Sequence, residues 1–255
     1  MQQEQLNMNP PALSAAKSQL RTLMKQRLAN LTQESIASQS TRVQESLSKF
    51  QPYIDAKAVG VYLSMPGGEL QTESVVRHAI ASGKQVFVPY LHRSGLPPGE
   101  GPPRLMDMVS LKGIQDYESL QRDKWGIPSV DPATVNERKR SVGELGGERS
   151  EDISLDLILM PGVAFDVDPK TGHIRRLGHG KGFYDYFLHR YALATAAEKT
   201  LNSRPSVLLY ALALKEQLLS PASDESVPVG PHDQPIDGLF LGDGQIKESA
   251  ENGRD

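Results

Sequence analysis

Cysteine is absent from all 255 residues. That absence excludes disulfide bonds, thiolate nucleophiles and cysteine-bound zinc, so any metal must be held by oxygen or by one of six histidines. An excess of one charge sign is equally missing. The chain has 28 Lys and Arg against 31 Asp and Glu, a formal net charge of -3 with no electrostatic footprint for nucleic acid. No apolar run approaches the ~20 residues that span a bilayer. The stretch MQQEQLNMNPPALS has neither the basic start nor the apolar centre of a signal peptide. A cytosolic protein is expected; no transit peptide is seen, and a mitochondrial copy stays open. Aromatic residues are scarce, and Trp125 is the single tryptophan. A lone Trp usually sits in a core or over it as a lid, and stacks on a ligand less often.

What is present suits one globular domain: 38% hydrophobic and 23% charged residues, in a length that can bury a substantial core. The domain is expected over residues 14–241, with disordered tails at 1–13 and 242–255. Ser14 can cap a helix carrying Leu20, Leu23, Met24 and Leu28 on one side, with Lys17 and Arg21 one turn apart on another. Spacing alone makes that cation pair a solvated basic face. A second helix is expected over 32–50, a buried strand over 58–63 (AVGVYL), a helix over 69–82 ending at Gly83, and a strand over 85–89. Strand, helix, strand with short connections is the parallel α/β unit, and ligands collect at the carboxyl ends of its strands. Residues 92–105 and 134–152 read as surface insertions, rich in Pro and Gly or in charge. Further strands are expected at 106–111, 155–160 (LDLILM), 207–214 (VLLYALAL) and 238–241.

The segment 160–191 is the centre of the chain. An apolar run leads through a polar turn to GHGKG at 178–182, which opens into a helical pattern with Phe183, Phe187 and Tyr191 four residues apart. Free N–H groups at a helix start, the helix dipole and close-approaching glycines together hold anions, and Lys181 adds a full charge. The loop is neither a Walker motif nor a dinucleotide fingerprint, because the required spacings are absent. Asp185 in the first helical turn has two readings, a Mg²⁺ ligand bridging phosphate oxygens or a carboxylate favoured by the dipole. Asp233 and Asp237 carry the same ambiguity, and His179 and His232 read as loop residues when taken singly.

Taken together, SAAKSQLR (14–21), YLSM (62–65) with Glu69, MDM (106–108), WGIP (125–128), MPGVAFD (160–166), RLGHGKGFYD (176–185) and Asp233 with Asp237 resemble the 5-formyltetrahydrofolate cyclo-ligase family. The order of the pieces matches that family. The chain departs from it at His179, where Arg is frequent, and at Pro231, where an acid is common. The resemblance implies a single-domain α/β fold, three-layer and Rossmann-like. A mostly parallel central sheet would be flanked by helices, as in sugar-phosphate isomerases and CoA transferases. It implies ATP- and Mg²⁺-dependent conversion of 5-formyltetrahydrofolate to 5,10-methenyltetrahydrofolate, with ADP and phosphate released through a phosphorylated formyl (iminium phosphate) intermediate. By the same resemblance Lys17, Arg21, Arg176, Gly178, His179, Gly180, Lys181, Gly182, Phe183 and Tyr184 would bind ATP, and Asp185 and Asp233 would hold Mg²⁺. Leu63, Glu69, Trp125 and residues 179–183 would face the folate, and Lys181 and Tyr184 would act in catalysis. The partners expected are small molecules alone, with neither nucleic acid nor membrane, for a monomer. Two other readings stand beside this one. The first is a catalytically silent relative that binds folate, nucleotide or RNA, and the second is an isomerase- or transferase-like enzyme that needs no ATP.

Overall fold

The computed structural model describes residues 10–95, 97, 101–142, 154–202, 207–223 and 225–250. Three helices lead: α1 (Pro10–Leu28), α2 (Gln33–Leu47) and the short α3 (Gln51–Asp55). Then come β1 (Ala58–Val61), α4 (Glu73–Ala81), β2 (Gln85–Arg93), β3 (Arg104–Ser110), α5 (Ile114–Glu118), β4 (Gln121–Arg122) and β5 (Pro128–Ser129). The second half holds β6 (Leu157–Met160), β7 (Ala164–Val167), β8 (Ile174–Leu177), α6 (Phe183–Asn202), β9 (Leu208–Ala213), β10 (Gly238–Leu241) and β11 (Ile246–Glu248). Seven strands form the central sheet in the order β11-β10-β9-β6-β1-β2-β3. The four inner pairings are parallel, and β11 and β3 run antiparallel at the two edges.

Side chains alternate along these strands, and both faces are covered. Val59, Val61, Leu157, Leu159, Tyr210, Leu212 and Phe240 enter one cluster with Ile36, Val43 and Leu47 of α2 and Val75, Val76 and Ala79 of α4. Their neighbours Ala58, Ile158, Met160, Ala211, Ala213, Leu239 and Leu241 enter the other with Phe187, Leu188 and Tyr191 of α6. Burial on both faces is why β6 reads as an unbroken apolar run. Each fully buried side chain such as Phe87 or Phe240 contributes about 2–3 kcal/mol. The fold is thus the expected three-layer α/β architecture. A third, smaller cluster packs Leu20 and Met24 of α1 on Ala164 and Leu177 of the β7–β8 hairpin and on Val227.

Several local expectations are corrected. Helix α1 begins at Pro10, not after a Ser14 cap, because proline needs no N–H partner in a first turn. Residues 1–9 lie outside the described residues. Helix α2 is capped as expected by Thr32, whose hydroxyl accepts from Ser35 N–H, but ends at Leu47. Helix α4 begins only at Glu73, and Glu69 and Leu70 are buried in the loop before it. The polar turn of the central segment is the tip of the β7–β8 hairpin, so β8, and not β6, feeds the glycine loop. The tail from 242 is not loose up to 250, since β11 closes the sheet edge; 251–255 lie outside the described residues. The two ends of the segment 92–105 pair as β2 and β3, with 96 and 98–100 outside the described residues, and 134–142 continues a 3₁₀ turn (Pro132–Glu137) and holds a bridge from Arg140 to Val109. The remainder of that second insertion, 143–152, is outside the described residues.

Candidate functional site

Four pieces of chain converge at the carboxyl ends of the central strands: α1, the loop 64–70 after β1, the glycine loop between β8 and α6, and the segment 225–237. Gly180 and Gly182 have φ of 90° and 66°, a left-handed backbone that β-carbons disfavour. These two residues let the chain reverse twice between β8 and α6. Tyr186 N–H bonds back to Gly182 O at 3.0 Å, which leaves the first-turn N–H groups of α6 facing the loop mouth. Lys181 is exposed and, among the described residues, has no ion-pair partner.

Cations brace this loop from both sides. Arg21 Nε donates to Gly178 O at 2.8 Å, and its guanidinium lies so close to Gly180 that a β-carbon there would sit 3.1 Å from Cζ. Partial burial lowers the Arg21 pKa and the charge of Asp233 offsets this; guanidinium stays ionised regardless. One turn earlier, Lys17 Nζ donates to Asp233 Oδ2 at 2.5 Å, and the same oxygen accepts from Gly230 N–H at 2.5 Å. On the other flank Arg176 donates through Nη2 to Asp185 Oδ1 at 2.9 Å and lies 5.7 Å from the Tyr184 ring centroid. Its Nε is buried without a partner among the described residues.

Each candidate metal ligand is thus paired with a cation, Asp185 with Arg176 and Asp233 with Lys17. The second oxygens, Asp185 Oδ2 and Asp233 Oδ1, carry no hydrogen bond among the described residues. No group of three or more acidic or histidine side chains collects among the described residues. Mg²⁺ asks for less, one or two carboxylates with the rest supplied by substrate oxygens and water, and the donor set fits that demand. Asp237 turns away from the loop, accepting from Leu209 N–H at 2.7 Å beside the sheet, and His232 is exposed.

Beneath the glycine loop lies a buried polar cluster. Glu69, 5% exposed, accepts from Met65 N–H at 2.5 Å through one oxygen; the other is 3.9 Å from His179 Nε2. Burial pushes the Glu69 pKa up to about 7, and the Met65 hydrogen bond only partly opposes it. The Tyr184 hydroxyl is buried with no partner among the described residues, and burial raises its pKa far above the ordinary phenol value, against the Arg176 cation and with the charge of Glu69. Tyr62, also raised by burial and by Glu69, donates to Leu70 O at 2.8 Å and so ties down the loop that carries Glu69. Burial lowers the His179 pKa, and the Arg176 and Arg21 cations lower it further.

Other expected site residues are placed less directly. Leu63 is packed into the first core cluster, so its side chain is committed to the core. Phe183 packs partly against the second cluster. Trp125 is 53% exposed with Lys124 Nζ 4.3 Å from its ring centroid, which excludes the core position. Its turn packs on the loop after β1, since a β-carbon on Gly126 would meet Pro66 Cγ at 2.6 Å.

Three features escape a reading by local pattern. Asp166 accepts twice from Arg175, at 2.7 and 2.5 Å, and once from Val227 N–H at 2.8 Å, which binds the 225–237 segment to the hairpin. Asp107 gathers His92, Arg140 and Arg190 around one buried carboxylate. Gln217, 1% exposed, donates to Gly162 O at 2.6 Å. Only the acids inside MPGVAFD and MDM gave a signal for the first two; nothing local marks Gln217. A cleft of about 540 Å³ opens beside these pieces, lined by residues of α1, the start of α2, the loop after β1, Gly162, His179 and Gln217.

Comparison with known proteins places this arrangement. The model of the 5-formyltetrahydrofolate cyclo-ligase family matches residues 13–241. The probable 5-formyltetrahydrofolate cyclo-ligase of Schizosaccharomyces pombe is 30% identical over 227 residues, covering 89% of this chain and 95% of that protein. The 5-formyltetrahydrofolate cyclo-ligase of Mus musculus is 30% identical over 232 residues, covering 91% and 96%. The solved 5,10-methenyltetrahydrofolate synthetase of Aquifex aeolicus shares the fold at a TM-score of 0.56 and 22% identity, across 93% of this chain and 97% of that one.

Proposed function

The chain belongs to the 5-formyltetrahydrofolate cyclo-ligase family, and on that premise we propose that it closes 5-formyltetrahydrofolate to 5,10-methenyltetrahydrofolate at the expense of ATP. The observation that carries the reading is the junction at residues 178–185. There a glycine loop suited to an anion sits between two flanking cations, with the buried Glu69 3.9 Å from His179 and a buried phenol that has no partner among the described residues.

A formamide oxygen is a poor leaving group and must be activated before the ring closes. In the proposed sequence the formyl oxygen attacks the γ-phosphorus, the P–O bond to ADP breaks, and the product is an iminium phosphate. The N10 lone pair then adds to the formyl carbon, the C–O bond breaks, phosphate departs with the electron pair, and the N10 proton is lost. Both steps demand positioning and neutralisation of phosphate charge more than covalent help. Lys17, Arg21, Arg176, Lys181 and the loop N–H groups at 178–183 supply that neutralisation. Asp185 and Asp233 would hold Mg²⁺, whose contribution when bound is to neutralise phosphate oxygens. ATP entering here would compete with Asp233 for Lys17 and draw the lysine toward phosphate. Glu69, close to half protonated at neutral pH, can donate to or accept from the pteridine, and Tyr184 can hydrogen-bond the formyl oxygen as charge develops. Trp125 and Phe183 bound the folate side.

The test is direct. Purified protein with MgATP and 5-formyltetrahydrofolate should develop the near-ultraviolet absorbance of the methenyl product, and Lys181→Ala should lower kcat/KM by about 100-fold. Folded protein that forms no product overturns the reading, and turnover without ATP moves it to the isomerase- or transferase-like class.

A further inference from the structure

The chain between β1 and α4, residues 64–72 (SMPGGELQT), carries Glu69 yet has no regular structure to hold it. Pro66 has no N–H to give, and Gly68 turns the tip through a φ of 77°. Among the described residues, 64–71 make no backbone-to-backbone hydrogen bond. A loop in that condition opens readily, and its one acid should then reach water. Glu69 is instead 5% exposed. Side chains supply what the backbone lacks.

Gln71, half-buried, is the centre of that arrangement. Its Nε2 donates to Met65 O and to Glu69 O, both at 2.9 Å, while its Oε1 accepts from the Ser64 hydroxyl at 3.4 Å. One amide thus joins the two ends of the turn that Gly67 and Gly68 make. Met65 precedes proline, which confines it to extended backbone, so a fixed Met65 carbonyl leaves the Met65 N–H little freedom. That N–H is the donor to the Glu69 carboxyl, at 2.5 Å. The Gln71 backbone is pinned in turn: its N–H donates to Ser40 Oγ at 3.0 Å, and Ser40, buried in α2, donates to Ile36 O at 2.7 Å. Thr72 completes the frame by donating from Oγ1 to Tyr62 O at 2.7 Å. An amide suits the central place, since it donates twice at every pH and adds no charge beside the buried acid.

We propose that Gln71 is a positioning residue for the candidate site: its clasp across residues 65–69 holds the Glu69 carboxyl on the Met65 N–H, 3.9 Å from His179 and shielded from water. The titratable groups that face Glu69 are Tyr62 after β1, Tyr184 of α6 and His179 of the glycine loop, with the Arg21 and Arg176 cations acting on His179. Among the described residues the Glu69 carboxyl hydrogen-bonds none of them, so the Met65 N–H, with Gln71 behind it, fixes where the acid points. The inference rests on the proposed reaction for what Glu69 does in turnover, while the clasp itself does not depend on it.

The experiment follows Glu69 by carboxyl-carbon NMR titration of the ligand-free wild type and Gln71→Leu, with Glu69→Gln identifying the resonance, beside steady-state constants for 5-formyltetrahydrofolate and MgATP. Expected in Gln71→Leu is a titration midpoint at least about one pH unit below that of the wild type, with kcat/KM for the folate down about tenfold and KM for MgATP within about twofold. Gln71→Asn, one methylene shorter, cannot span both carbonyls and should move the midpoint the same way; it takes the place of the leucine variant if that protein does not fold. A lower melting temperature with the Glu69 midpoint unmoved would make Gln71 a structural staple and overturn the proposal. So would, in an active enzyme, a moved midpoint with unaltered folate constants, or an effect confined to MgATP. A wild type that forms no product, with the midpoint moving as expected, would refute the proposed reaction and leave the clasp standing.

Discussion

Glu69 shows how position changes the chemistry of one side chain. In solution its pKa is 4.5; in the fold, burial pushes it up to about 7. Folded protein thus holds a proton that unfolded protein releases, and stability from this group falls as pH rises from about 4.5 to about 7, then stays low above that. The full difference corresponds to roughly 3 kcal/mol. Replacing Glu69 with Gln should therefore stabilise the protein at pH 8 relative to the wild type, by up to roughly 2–3 kcal/mol, with the gain shrinking toward pH 5. Urea unfolding of both proteins across that range measures it, and a pH-independent gap would show that Glu69 does not titrate there. Turnover should fall in the same variant, since Gln cannot exchange a proton. Neither property is visible in the letters at 62–70, where Glu69 reads as the first residue of a helix. Its charge acts on Tyr62 and on Tyr184, the latter more than a hundred positions away.

At the scale of elements, the β7–β8 hairpin links chemistry to stability. It presents Arg176 to the glycine loop, and through Asp166 it fixes Val227 and so the approach to Asp233. Asp166→Asn leaves the mostly buried Arg175 with only its longer contact to Asp168, at 3.4 Å, which should cost roughly 2–4 kcal/mol. If the pair also positions Asp233, KM for MgATP should rise several-fold while kcat with saturating nucleotide stays near wild type. A loss of stability with unaltered KM would reduce the pair to a structural clamp. The hairpin went unread because each of its strands is only four residues long, too short for a period of two to stand out beside the polar turn. By contrast β6, β9 and β10 were legible, since a parallel sheet covered on both faces demands continuous apolar runs.

Across the whole molecule, the N-terminal helices clasp the last third of the chain. Lys17 meets Asp233, Arg27 meets Glu225 and Arg42 donates to Gly242 O. A ligand that engages both sides of this clasp should stabilise the whole fold, by about 2.7 kcal/mol at a hundred times its Kd. MgATP is therefore expected to raise the melting temperature, ATP without Mg²⁺ to raise it less, and Asp233→Ala to erase the difference between the two. An identical shift with and without Mg²⁺ in the wild type would remove Asp233 from the metal. The sequence by itself determined the family and the α/β architecture, because those features are written in the order of short motifs and in apolar runs. Tertiary structure alone decided that Lys17 faces a carboxylate 216 positions away and that Glu69 and Tyr184 lie in a water-poor cluster. The reason is physical: pairing and desolvation depend on which distant segments arrive at the same place, and no local period records that.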